Sequence, residues 1–373
     1  MNQAPRILIV RLSAIGDCVH AAPTVETIRE QLPGAFIGWV VQPGGLSLIE
    51  DLEAVDCFHR FPRKSGLDAV KAYWRLRTEL RAQRYDAVLD LQGLTKSGLV
   101  AWLSGARRRL GFAGPESREL NRIFLTERRL AAGRHVVDRN LSLLAGLDLQ
   151  VPDHGQWNFS SVELEGTEIG AQLSGLDPGA PLVVISPGTT WPTKFWPTAM
   201  YAELAGRLAD AGCAVIVAWA GAEESAMADQ IAAAGPGVHK APPTSLMELR
   251  GLLQRSQLLV ANDSGPMHIS VAVGTPTLAL FGPTDPGRNG PYGMDDPRRR
   301  VRALTLAEGR QQTIGDQRVG DGQLLDCQHC WKKSCARGDL ACLQRLAVDD
   351  VFEVAHGLLD PDAGRPSAKP APG

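Results

Sequence analysis

No apolar run in this chain is long enough to cross a bilayer, which as a helix takes about 20 residues. The longest, "CAVIVAWAGA" (213–222), falls far short of that. The N-terminus lacks a basic-then-apolar leader pattern and runs straight into a strand, so the sequence reads as cytoplasmic. Neither half opens with G-x-G-x-x-G, which disfavours a nicotinamide-dependent dehydrogenase. The closing stretch, residues 360–373, is rich in Pro, Ala and Gly, carries no apolar period and is expected to be disordered.

What remains is ordinary for a soluble globular protein: 373 residues, 44% hydrophobic and 21% charged. That length accommodates two domains with separate cores. The net charge of −2 conceals an asymmetry. Residues 1–150 carry 21 Lys and Arg against 16 Asp and Glu, a net of +5, and the remainder carries 18 against 25, a net of −7. Most of the excess lies between Arg60 and Arg139. A basic half suits an anionic partner such as nucleic acid, a membrane surface or a phosphorylated substrate. Most of these arginines read as solvated helix faces, and "ARRRLGF" (106–112) reads as a solvated turn. Of the seven cysteines, Cys327, Cys330, Cys335 and Cys342 cluster with C-x2-C-x4-C-x6-C spacing. This resembles zinc-ligand spacing without completing a second C-x2-C knuckle, and thiols merely packed together fit it equally.

Strand-length apolar runs alternate with helix-period segments in both halves, the pattern of a parallel sheet covered by helices. The first half predicts strands at 6–12, 35–41, 56–61 and 85–92, with helices at 18–32, 68–83, 94–104 and 137–147. A Gly/Pro/Asp-rich linker follows at 148–166. The second half predicts strands at 181–188, 213–220, 257–263 and 275–282 and helices at 198–211, 223–234, 245–255 and 265–273. The expected class is α/β, with two Rossmann-like domains (1–165 and 176–346) facing across a cleft, and a late helix at 347–359 packing back across their junction. Ligands of such sheets sit beyond the carboxyl ends of the strands.

Three strand-to-helix junctions carry the chemistry. In "RLSAIGDCVHAAP" (11–23) a turn with the single glycine Gly16 ends on the carboxylate Asp17. In "ISPGTTWPTKFWP" (185–197) Gly188 permits a tight turn, Thr189 and Thr190 offer hydroxyl and N–H donors, and Lys194 offers a point charge: a cradle for a diphosphate. In "VANDSGPMHISVAVGTPTLALFGPTDP" (260–286) a strand ends at Asp263, and Ser264-Gly265-Pro266 opens a helix with His268 in its first turn. Free N–H groups and the dipole at that start favour an anion. Asp263 either caps the helix or holds a sugar hydroxyl. Glu224 either complements a helix dipole or holds a ribose.

These segments, with "AGAEE" (220–224), resemble glycosyltransferase family 9, the ADP-heptose:lipopolysaccharide heptosyltransferases of GT-B fold, over residues 6–359 and in family order. "GD-x-x-H-x-x-P" is similar to the heptosyltransferase I branch. The resemblance implies an N-terminal acceptor domain and a C-terminal domain for ADP-heptose, with Asp17 as general base. It implies phosphate contacts from Thr189, Thr190 and Lys194, a nucleoside contact from Glu224, and a donor-sugar loop of Asp263, Ser264, Gly265 and His268. Metal-dependent transferases often use D-x-D; here "DPD" falls in the tail at 360–362, so the expectation is transfer with no metal and no cofactor, and inversion is what the resemblance implies. Arg60, Arg63, Lys64, Arg118 and Arg122 are the expected clamp for the phosphates and carboxylates of a Kdo-bearing lipid A acceptor. Such an acceptor implies peripheral contact with the cytoplasmic face of the inner membrane and no nucleic-acid partner. Another nucleotide-sugar enzyme on the same fold, such as an epimerase, and a non-catalytic glycolipid-binding homologue are the alternatives.

Overall fold

A computed structural model describes residues 4–61, 66–296, 298–308, 310–314 and 323–360. The chain divides into two units, Met1–Ser160 and Ser161–Gly373. The first contains the strands β1 (Arg6–Val10), β2 (Phe36–Val41), β3 (Cys57–Arg60), β4 (Ala87–Asp90), β5 (Arg108–Ala113) and β6 (Glu127–Leu130). Its helices are α1 (Ile15–Gln31), α2 (Pro43–Ile49), α3 (Gly66–Ala82), α4 (Thr95–Leu103) and α5 (Val136–Ser142). The strands form one sheet in the order β3-β2-β1-β4-β5-β6, and every pairing is parallel. This is a doubly wound order whose direction of winding reverses between β1 and β4. Register places Val10 opposite both Val40 and Asp90, so the exits of β1 and β4 lie side by side at the switch point.

The second unit repeats the plan. Its strands are β7 (Leu182–Ser186), β8 (Ala214–Val217), β9 (Val238–Lys240), β10 (Leu258–Asn262), β11 (Thr277–Phe281), β12 (Val301–Glu308), β13 (Arg310–Ile314) and β14 (Gln323–Leu324). Its helices are α6 (Glu168–Ser174), α7 (Thr198–Asp210), α8 (Gly221–Ala232), α9 (Leu246–Arg255), α10 (Gly265–Ala272), α11 (Pro286–Asn289), α12 (Ala341–Gln344) and α13 (Val348–Leu359). Six strands run parallel as β9-β8-β7-β10-β11-β12, with β13 and β14 added antiparallel on β12. The reversal falls between β7 and β10, which are register partners from Leu258 against Val183 to Ala261 against Ser186.

The reason for the strong apolar signal is burial on both faces. Every residue of β7, β10 and β11 is buried, so these strands need no polar alternation. Helix α3 sets Leu76 and Leu80 into the first unit's core beside Leu8, Val10 and Val88. Helix α13, expected across the junction, sets Val351, Ala355 and Leu358 into the second unit's core.

One segment departs from its reading. "ARRRLGF" is not a turn: it enters β5, an interior strand between β4 and β6. Leu110 and Phe112 are buried there. Arg108 pairs with Glu127 at 2.8 Å, and Arg109 donates to the carbonyls of Phe124 and Ala106 at 2.7 and 2.8 Å. Those fixed partners let a basic sequence occupy a sheet interior.

Candidate functional site

At the exit of β1 the chain crosses Arg11, Leu12 and Ser13 and enters α1. Asp17 lies in the first turn, half-exposed. One carboxylate oxygen accepts the Ala14 N–H at 3.0 Å and the other lies 2.6 Å from Arg11 Nη2. The buried ring of His20 follows one turn later, its Nδ1 4.0 Å from Asp17. A carboxylate is favoured at a helix start by the unpaired N–H groups and the dipole, so Asp17 keeps an exposed face without losing its anchors.

This loop is held from the exit of β4 by residues that sequence reading passed over. Gln92 Oε1 accepts the Leu12 N–H at 2.7 Å, and Gln92 Nε2 donates to the Ser13 carbonyl at 3.1 Å. Arg11 also donates to the Leu91 carbonyl. Gln92 is itself fixed by Asp90, which is fully buried. Asp90 accepts from the N–H groups of Gln92 and Gly93 at 3.0 and 3.2 Å, from Ser97 Oγ at 2.9 Å and from Asn121 Nδ2 at 2.6 Å. Burial pushes the Asp90 carboxyl up, and these four donors oppose that shift. "YDAVLDLQ" looks like any buried strand in sequence; a buried acid ending it, just before a helix, was the available signal.

The basic residues expected for an acceptor divide. Arg60 ends β3, exposed and in register with Val41. Arg118 and Arg122 are exposed in the segment that Asn121 ties to Asp90, and the Arg118 N–H donates to the Gly93 carbonyl at 2.8 Å. All three therefore belong to the carboxyl edge of the sheet, as Asp17 does. Arg63 and Lys64 lie outside the described residues.

In the second unit the exits of β7 and β10 meet at the switch point. Lys194 Nζ lies 2.6 Å from Asp263, and both side chains are nearly buried. Asp263 also accepts Thr284 Oγ1 at 2.7 Å and lies 3.3 Å from Asn289 Nδ2, and its carbonyl accepts Thr189 Oγ1 at 3.4 Å. It does not cap α10: Ser264 occupies the N-cap, and no side chain caps that helix. Three buried polar atoms here have no hydrogen-bond partner: Ser264 Oγ, Asn262 Oδ1 and Asn289 Oδ1. Buried polar atoms are normally satisfied, so unsatisfied ones grouped at a helix start mark a place for a polar ligand. Gly265 begins α10, and His268 is buried within it. Thr190 follows Thr189 in the chain and is exposed. Thr284 and Asn289 were not singled out in sequence, although "GPTDP" contains the first.

Glu224 joins the same loop through Gly188. A Cβ built on Gly188 would lie 2.1 Å from Glu224 Cδ, so a glycine is required for close approach. The turn itself does not demand one, since Gly188 is not among the positive-φ glycines. Burial pushes the Glu224 carboxyl up, against a hydrogen bond from the Ala220 N–H at 2.8 Å.

The cysteine segment braces these loops. Thr193 Oγ1 donates to the Lys332 carbonyl at 2.7 Å and the Trp331 N–H to the Pro283 carbonyl at 2.9 Å. Lys194 and Lys333 both lie over the Trp191 ring, at 4.4 and 5.4 Å. Cys327, Cys330, Cys335 and Cys342 are free thiols bordering one cavity with Thr193 and Pro283. Burial and then its three neighbours push the Cys342 thiol up to about 11. Among the described residues, no three His, Cys, Asp or Glu side chains group as a metal site.

Comparison with solved structures and known proteins fits this geometry. E. coli heptosyltransferase WaaC, solved with ADP, superposes with a TM-score of 0.71 at 26% identity, over 95% of this chain and 99% of its own. Two doubly wound units, each with its loops at a sheet switch point, give the chain the α/β architecture of the GT-B type that it shares with that structure. Residues 73–314 match the model for glycosyltransferase family 9 (heptosyltransferase), and the chain belongs to that family. It is 33% identical to lipopolysaccharide heptosyltransferase 1 of Pseudomonas aeruginosa over 88% of this chain and 87% of that protein. It is 30% identical to the E. coli K12 enzyme of the same name, over 78% of this chain and 92% of that one.

Proposed function

We propose that this glycosyltransferase moves a heptose from ADP-heptose to a Kdo-bearing inner-core acceptor of lipopolysaccharide, as the first heptosyltransferase of that core. The observation that carries the reading is the Lys194–Asp263 pair at the head of α10, ringed by the unsatisfied atoms of Asn262, Ser264 and Asn289. A sugar diphosphate supplies what this group lacks: phosphate oxygens for Ser264 Oγ and the α10 N–H groups, and hydroxyls for the Asn262 and Asn289 oxygens. Thr189, Thr190 and Lys194 bind the diphosphate, Glu224 the nucleoside, and Asp263, Gly265 and His268 line the sugar end.

In the reaction, Asp17 takes the proton of the acceptor hydroxyl. The freed oxygen pair forms the new bond to the anomeric carbon, and the bond from that carbon to the diphosphate breaks, with its electron pair leaving on ADP. The transition state is oxocarbenium-like. Charge developing on the departing diphosphate is met by Lys194 and the α10 N–H groups, fixed before the reaction, so no metal ion is required. Inversion at the anomeric carbon follows from the family resemblance. Arg60, Arg63, Lys64, Arg118 and Arg122 hold the anionic groups of the acceptor.

The test is product analysis by mass spectrometry with ADP-heptose and a Kdo-bearing lipid A acceptor. Transfer adds one heptosyl mass to the acceptor and releases ADP. Release of free sugar with the acceptor unchanged would overturn the reading in favour of an epimerase-like or hydrolytic enzyme.

A further inference from the structure

We infer that Lys333, carried by the cysteine segment, is a second cation for the diphosphate of the sugar donor, seated with Lys194 on the Trp191 ring. The Lys194 ammonium lies 4.4 Å and the Lys333 ammonium 5.4 Å from the centre of that one half-buried ring. The two reach it from distant parts of the chain, Lys194 from the exit of β7 and Lys333 from the loop before α12.

That loop is pinned to the donor group at three points. Thr193, next to Lys194, donates to the carbonyl of Lys332, next to Lys333, at 2.7 Å. The Trp331 N–H donates to the Pro283 carbonyl at 2.9 Å, and the neighbouring Thr284 holds Asp263 at 2.7 Å. The guanidinium of Arg288, next to Asn289, lies 5.1 Å from the centre of the Trp331 ring. Each pin is one residue away from a member of the donor group, so these contacts keep Lys333 close to Lys194.

Charge explains the need for a second cation. Lys194 lies 2.6 Å from Asp263, so the pair is neutral as a unit. The start of α10 adds about half a unit of positive charge. A sugar diphosphate is charged on both phosphates, and the departing ADP gains more, which the pair and the dipole leave largely unbalanced. The inference rests on the proposed function for the identity of this ligand. Lys333 is exposed and makes no ion pair with a described residue. Two ammoniums on one ring repel each other, and an anion lying against both removes that cost. A lysine stacked there for packing alone would gain little at so exposed a place, and less on a ring that already holds a like charge.

The experiment is isothermal calorimetry of the full-length protein with ADP, for wild type, Lys333→Met and Lys333→Arg. Methionine keeps an unbranched stem over the ring and removes the charge, whereas arginine keeps the charge. Lys333→Met is expected to bind ADP roughly tenfold more weakly, by a margin that narrows as salt is raised, and Lys333→Arg to recover most of the loss. Both variants are expected to keep the circular dichroism spectrum and melting temperature of wild type. An unchanged dissociation constant for Lys333→Met, or an equal loss in both variants, overturns the inference. Wild type that binds no ADP overturns it together with the proposed function. Wild type that binds ADP through Lys333 yet transfers no heptose supports the inference and overturns only that function.

Discussion

Lys194 and Asp263 come from different strand exits, yet their charged groups lie 2.6 Å apart at the start of α10, nearly out of contact with water. A buried ion pair contributes little net stability, because desolvating both charges offsets their attraction. Asp263 keeps Thr284 and Asn289 as further donors, which leaves the ammonium available to a diphosphate placed on the same helix start.

Lys194→Ala is therefore expected to weaken ADP binding roughly 10- to 100-fold, the loss of one charge-assisted contact. Isothermal calorimetry with ADP measures this. An unchanged dissociation constant would remove Lys194 from the phosphate site.

Glu224 gives a pH-dependent prediction. Its folded carboxyl is pushed above the ordinary value of 4.5, so the native state holds this proton to higher pH than the unfolded chain does. Stability from this group is then greatest at low pH and is lost as pH rises through the raised value. Glu224→Gln removes the ionisation. Its melting temperature relative to wild type is expected to rise between acid and neutral pH, in buffers without nucleotide. A difference that stays flat with pH would show that burial costs this carboxylate nothing.

Gln92 touches only backbone beside Asp17, and its prediction concerns positioning. Gln92→Leu removes both clamps on Leu12 and Ser13 and is expected to lower kcat about 10²-fold, the cost of a small displacement of a reacting group. ADP affinity should not change, because the donor group belongs to the second unit. Gln92→Glu, which retains the acceptor for Leu12, is expected to recover part of the loss. A change in ADP affinity equal to the change in kcat would mean that the substitution damages the whole protein.

The parts of this structure legible in sequence are those where one residue type has one explanation. Strands β7, β10 and β11 are buried on both faces and read as unbroken apolar runs. Asp17, Lys194 and the Asp263-Ser264-Gly265 turn fall where a strand passes into a helix, the position at which doubly wound sheets bind ligands. Strand β5 was hidden because Arg108 and Arg109 look solvated until Glu127 and the carbonyls of Phe124 and Ala106 are seen beside them. Asp90 and Gln92 were hidden for another reason. Their partners lie up to 80 residues away, and no local pattern announces a hydrogen bond of that range. Gly188 was noticed for its turn, but its need arises from Glu224, which only the fold brings above it.

The most direct test of the account is Asp17→Asn assayed by mass spectrometry with ADP-heptose and a Kdo-bearing acceptor, beside wild type, with donor affinity measured on both proteins. Wild type is expected to give a heptosylated product, and the variant a kcat lower by roughly 10²–10⁴-fold, the range for losing a general base, with an unchanged donor dissociation constant. Turnover by Asp17→Asn at the wild-type rate, or no heptosyl mass added by wild type, would contradict it.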